Sequence, residues 1–156
     1  MRKSKSPRSK LIDELDKLWR SIGKENAFCE VCATLPVEER VNYSKLDPHH
    51  IVGRNNKLLR WDLKNRCWLC PTHHTFGKKN AQDNQGGWFF NDWTNEDWMG
   101  KNRLNDKIYL IDRRYKTRHW SLEELLEIKE RLEKVKEGNQ SDEYSDSIIS
   151  SLSNVL

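Results

Sequence analysis

From Asp47 to His74 the chain reads DPHHIVGRNNKLLRWDLKNRCWLCPTHH, a stretch with four of its five histidines and two of its four cysteines. Thiolates and neutral imidazoles are the side chains that suit borderline-soft divalent cations. Another thiol pair, Cys29 and Cys32, lies upstream in AFCEVCATLP. Two cysteines at this spacing can point at one ion, but a tetrahedral site needs two more ligands. Cys67 and Cys70 would complete it as a second Cys-x-x-Cys. Cys70 and His73 would complete it at the same spacing. The first choice leaves His73 without a role, and either leaves His49 and His74 for another ion. Cys67, when not a ligand, reads as a small buried apolar residue.

His49-His50-Ile51, then Asn65, then Leu69-Cys70-Pro71-Thr72-His73-His74 resembles the motif of the HNH (ββα-metal) endonucleases. The resemblance covers about residues 28 to 77, roughly a third of the chain. The Trp-rich and Leu-rich flanks are similar, less specifically, to small phage-type members, including phage recombination nucleases. The family's spacing from the asparagine favours a structural Zn²⁺ held by Cys29, Cys32, Cys70 and His73. The same resemblance implies one catalytic divalent cation, Mg²⁺, Mn²⁺, Ni²⁺ or Zn²⁺, on His49 and His74. It makes His50 the general base and has Asn65 bond across the loop to hold that base in place. The activity implied is hydrolysis of DNA phosphodiester bonds, leaving 5′-phosphate and 3′-hydroxyl ends. The chain departs from the family at His49, where most members carry aspartate. Asp47 is near enough to substitute, but beside Pro48 it reads as a turn former. On a regular strand His49 and His50 would face opposite sides, so one shared site requires the strand to bend or end there.

These residues need elements to carry them. A strand is expected over His49 to Val52, a basic loop over Gly53 to Lys64, and a second strand over Arg66 to Cys70. Pro71 suits the first turn of a helix carrying His73 and His74. Arg54, Lys57 and Arg60 in the loop offer phosphate contacts. Upstream, Leu11, Leu15, Leu18, Trp19 and Ile22 recur at helical spacing until Gly23, and this helix should pack on the metal-bearing domain. Downstream, Trp88, Phe89, Phe90, Trp93 and Trp98 read as a lid on a small core rather than as a stacking surface for bases. Thr94 is placed to cap a helix reaching about Arg114, with Leu104, Ile108, Ile111 and Tyr115 on one face. Ser121 with Glu124 forms a capping box for the last helix. Its stripe is Leu122, Leu125, Leu126, Leu132 and Val135, and Gly138 ends it.

Charged residues make up 33% of the 156 residues and hydrophobic ones 35%, so the core is small and a metal staple is expected. No apolar run is long enough to span a membrane, and the N-terminus lacks a signal peptide's apolar segment. The expected compartment is the cytoplasm, that of the host if the chain is phage-encoded. The organisation expected is a disordered basic arm over 1–9, one nuclease domain with flanking helices over 10–138, and a disordered acidic, Ser-rich tail over 139–156. Net charge is +4, with five bases and no acid in the first ten residues, which suits DNA as partner. The fold class is α+β, a small ββα-metal core stapled by zinc between N- and C-terminal helices. Two rivals differ in class: a non-catalytic zinc-stapled module that binds nucleic acid, and a phage-related assembly or interaction protein.

Overall fold

The structure is a computed structural model that describes residues 4–138. The tail expected over 139–156, and the first three residues of the arm, lie outside the described residues. The chain is a mixture of helices and one small two-stranded sheet. It divides into two compact units, one from Met1–Lys24, Trp61–Leu63 and His119–Leu156, the other from Glu25–Arg60 and Lys64–Arg118. The sequence suggests a single domain over 10–138 instead. No described helix is long and apolar enough to cross a membrane.

In the first unit, α1 (Pro7–Ser21) begins at Pro7 rather than Lys10, which shortens the expected arm. Ser6 accepts a hydrogen bond from the Ser9 amide at 3.2 Å, and Pro7 has no amide hydrogen left to satisfy. α5 (Leu122–Lys136) opens with both bonds of the Ser121–Glu124 capping box. The two helices pack together, burying Leu11, Leu15 and Trp19 on one and Leu125, Ile128 and Leu132 on the other. The apolar face of α1, expected against the metal-bearing stretch, thus finds a matching stripe on α5. Leu122 and Leu126 are exposed, so the buried stripe of α5 is narrower than its leucines suggest. Trp19 donates to the Asp62 carbonyl at 3.1 Å and Trp61 donates to Asp16 at 2.9 Å. These bonds hold residues 61–63 to α1.

In the second unit, β1 (Asp47–His50) runs antiparallel to β2 (Arg66–Leu69), with Asp47 opposite Leu69 and His49 opposite Cys67. The first strand starts two residues earlier than its β-branched end suggests, so Asp47 pairs in the ladder and does not shape a turn. Pro48 is tolerated because this sheet has only edge strands. Such a small ribbon is marginal by itself, and side chains brace it. Glu30, on the short α2 (Glu30–Ala33), accepts the Trp68 amide at 2.8 Å and an Arg103 bond at 3.2 Å. Arg103 also donates to the carbonyls of Arg66 (2.7 Å) and Lys64 (3.2 Å). After β2, Pro71 at φ −54° and ψ −36° enters a single π-helical turn, Thr72–Phe76, instead of a longer regular helix. The turn closes where Gly77 donates to the Thr72 carbonyl. A Cβ at Gly77 would lie 2.5 Å from that carbonyl oxygen, so a glycine ends the turn for steric reasons.

The helix expected from Thr94 is two helices, α3 (Trp98–Asn102), capped by Asp97, and α4 (Leu104–Arg113), joined through Arg103, whose backbone (φ −142°, ψ 49°) is non-helical. The expected apolar face is misphased. Leu104, Ile108 and Tyr115 are exposed, whereas Lys107 and Leu110 are buried. Charge explains the rotation: Asp97 is buried holding the amides of Gly100 (2.7 Å) and Asn91 (2.5 Å), and Lys107 reaches it at 2.7 Å. Lys107 also donates to the Thr94 carbonyl. Removing one partner of a buried pair leaves an uncompensated charge, which costs about 3–5 kcal/mol. Lys107→Met should therefore lower stability in chemical denaturation by about that much. Asp97→Asn added to it should recover part of the loss.

Candidate functional site

The cysteine and histidine ligands come from three short elements. Cys29 caps α2 and Cys32 lies within it, Cys70 follows β2, and His73 sits in the π turn. All four are buried, and their ligand atoms lie within 4.8 Å of one another. His73 Nδ1 is 3.5 Å from Cys29 Sγ, 3.4 Å from Cys32 Sγ and 3.3 Å from Cys70 Sγ. Cys32 and Cys70 have their sulfurs 3.9 Å apart. Three soft thiols and one imidazole converging out of contact with solvent can hold a metal ion such as zinc, in the closed manner of a structural site. Burial pushes the Cys29 thiol up to about 12 and lowers His73. The imidazole is thereby kept in its ligating, neutral form, and the buried thiol needs a cation beside it to ionise.

Cys67 lies outside this cluster, in register with His49. Burial, then the charge of Glu30, pushes its thiol well above the ordinary value, as expected of a small buried residue. The alternative with four cysteines is therefore not the arrangement the fold assembles.

His49 and His50 line a cleft of about 380 Å³ together with Ile51, Gln82, Asn84, Phe89 and Arg114, among others. The His49 and His74 rings stand edge to face, their centroids 5.2 Å apart, and Phe89 closes on His49 at 5.7 Å. Burial, then the neighbouring imidazoles of His74 and His50, lowers His49 to about 3. Burial also lowers His74, against the opposing pull of Asp47, whose carboxylate is 3.9 Å from His74 Nδ1. Burial thus disfavours the charged form of both imidazoles. Both His49 and His50 lie in β1, His50 at its last position, and both line the one cleft.

His50 Nε2 lies 2.9 Å from the Arg60 carbonyl. A carbonyl only accepts, which assigns the proton to Nε2 and makes Nδ1 the basic nitrogen. Asn65, fully buried, straps the same loop shut. It accepts from the Val52 amide at 2.6 Å and donates to the carbonyls of Val52 (2.9 Å) and Leu59 (3.0 Å). Of the three loop cations, Arg54 and Lys57 are exposed and Arg60 is half-buried. The aromatic segment divides: Phe89 and Phe90 are buried, Phe89 stacks on Trp98 at 5.2 Å, and Trp93 is 93% exposed. Arg114, Asn56 and the Glu30–Arg103 brace went unnoticed in the sequence because their partners are distant and follow no spacing.

Two outcomes follow from this geometry. Cys70→Ser or His73→Ala should release the metal and lower the melting temperature sharply, whereas Cys67→Ala should retain it; metal content per chain decides. For His49 the folded value is depressed, so between about 3 and the ordinary histidine value of about 6.5 the unfolded chain binds the proton more readily. Stability is then lost on acidification through that window. The stability of His49→Phe relative to the parent should accordingly rise as pH falls through it, measured by denaturation without added divalent cation.

A scan of protein-family models finds none that matches this chain, and no curated protein or solved structure matches it either.

Proposed function

We propose that this chain is a metal-dependent endonuclease of the HNH type that hydrolyses DNA phosphodiester bonds. The observation that carries the reading is the convergence of His49 and His50 on one cleft, with His74 against His49 and the metal-binding cluster alongside. Two antiparallel strands followed by a helical turn, with the histidines at the end of the first and in the turn, support this reading as a reduced form of a ββα core.

His50 is the general base in this reading. Its Nε2–H is fixed on the Arg60 carbonyl, and Nδ1 takes a proton from the water that attacks phosphorus in line. Asn65 positions it indirectly, by holding the loop that ends in Leu59 and Arg60. It transfers no proton itself. His49 and His74 remain neutral ligands, because burial disfavours their charged forms. A divalent cation bound there supplies stabilisation of the charge on the phosphate and the leaving 3′ oxygen. The exposed Arg54 and Lys57 would contact the DNA backbone.

Plasmid cleavage in Mg²⁺, Mn²⁺, Ni²⁺ and Zn²⁺ tests this. His50→Ala should keep its fold, cluster metal and DNA affinity while losing about 10²- to 10⁴-fold in rate, the usual range for a general base. His74→Ala should regain activity at high metal concentration. Cleavage by repurified His50→Ala at the parent rate would remove the mechanism. A parent that binds DNA but cuts with none of the four metals would be the non-catalytic zinc module instead.

A further inference from the structure

We propose that Arg114 grips the phosphate of the bound nucleic acid in the histidine cleft, that Asp92 and Phe90 hold its guanidinium there, and that Asn56 ties down the backbone beneath it. The inference deepens the nuclease reading and rests on it for the identity of the ligand.

Arg114 ends α4 in helical conformation (φ −61°, ψ −25°). It is the one Lys or Arg among the described residues that line the cleft with His49 and His50. Three contacts fix it. Its Nη1 donates to Asp92 Oδ1, whose other oxygen accepts from Tyr115 at 3.2 Å. Its guanidinium lies 5.3 Å from the centre of the Phe90 ring and 5.0 Å from that of Tyr115. The backbone beneath it is tied down by Asn56, whose side-chain amide donates to the carbonyls of Arg114 (2.8 Å) and, more weakly, Lys116 (3.3 Å) and Arg113 (3.4 Å).

Asn56 belongs to the same loop that holds His50. Its side-chain oxygen accepts from the Leu59 amide at 3.0 Å, while the Leu59 carbonyl receives Asn65 and the Arg60 carbonyl receives His50. One loop therefore sets both the basic nitrogen and the cation. Asp92 occupies one nitrogen of a fork with five N–H groups. The Arg114 side chain stays 30% exposed, so the fork retains donors for an anion. A planar, permanently charged fork braced by a carboxylate and an aromatic face suits bidentate binding of phosphate. A lysine in its place would keep only the point charge.

The test pairs binding with single-turnover cleavage on a short DNA duplex. For Arg114→Ala, the plot of log affinity against log salt should flatten by about one contact. The cleavage rate should fall about 10²-fold, as when one preorganised donor to a transition-state oxyanion is lost. Added guanidinium chloride at low millimolar concentration should restore part of that rate. Arg114→Lys, which keeps the ion pair with Asp92, should recover the salt slope but stay below the parent in rate. An unchanged slope and rate in Arg114→Ala would overturn the assignment. A loss that follows the melting temperature and ignores guanidinium would overturn it too, leaving a staple for the end of α4. A parent that binds without cutting would end the nuclease reading, while the salt slope would still decide whether Arg114 meets a phosphate.

Discussion

The convergence of Cys29 and Cys32 with Cys70 and His73 is the constraint on which the second unit depends. Its sheet is two strands of four residues each, too little to stand alone in water. Its helical turn is five residues long. None of these pieces buries enough apolar surface to offset the entropy of ordering it. One ion held by these four ligands would join the α2 knuckle to the end of β2 and to the π turn and close the loops between them. Because burial holds the Cys29 thiol in its neutral form without a cation, the free energy of binding a metal ion at this cluster would also be folding free energy.

Polar side chains do much of the remaining bracing, and each ties backbone groups that regular structure leaves open. Glu30 and Arg103 reach across α2, β2 and the start of α4. Asn65 closes the loop between the strands and Asn56 ties its middle to the end of α4. Asp97 and Lys107 bury a charge pair under the aromatic segment. Unmet backbone groups are costly away from water, and a unit with short elements has many of them. A handful of buried asparagines and ion pairs is the physical answer.

The same economy shapes the cleft. Phe89 packs edge-on against His49, and burial together with the neighbouring imidazoles of His74 and His50 disfavours positive charge on it. Burial thus keeps the His49 ring neutral. His50, at the last position of β1, has its ring turned by the Arg60 carbonyl instead. Two adjacent histidines thus acquire different surroundings from one short strand end.

What the sequence determined by itself was local. Ligand spacing of three within each Cys-x-x-Cys or Cys-x-x-His step, the Ser121–Glu124 box, Pro71 at the head of a turn and the two short strands around the asparagine all follow from covalent reach and backbone geometry. The α1 stripe was legible too, but its partner was not, since any matching apolar stripe satisfies it and the one on α5 lies more than a hundred residues away. The face of α4 was misjudged because burial of Lys107 depends on Asp97 being already enclosed. The meeting of Arg114 with Asp92, 22 positions apart, carries no periodic signal at all. Identical intervals likewise left open whether Cys67 or His73 joins Cys70 in closing the cluster. The strand decided it, by turning Cys67 toward Glu30 and the interior while Cys70 leaves the sheet to join the other ligands. Spacing limits which side chains can meet; only the packed chain decides which of them do, because desolvation and charge pairing are settled among residues that the sequence keeps far apart.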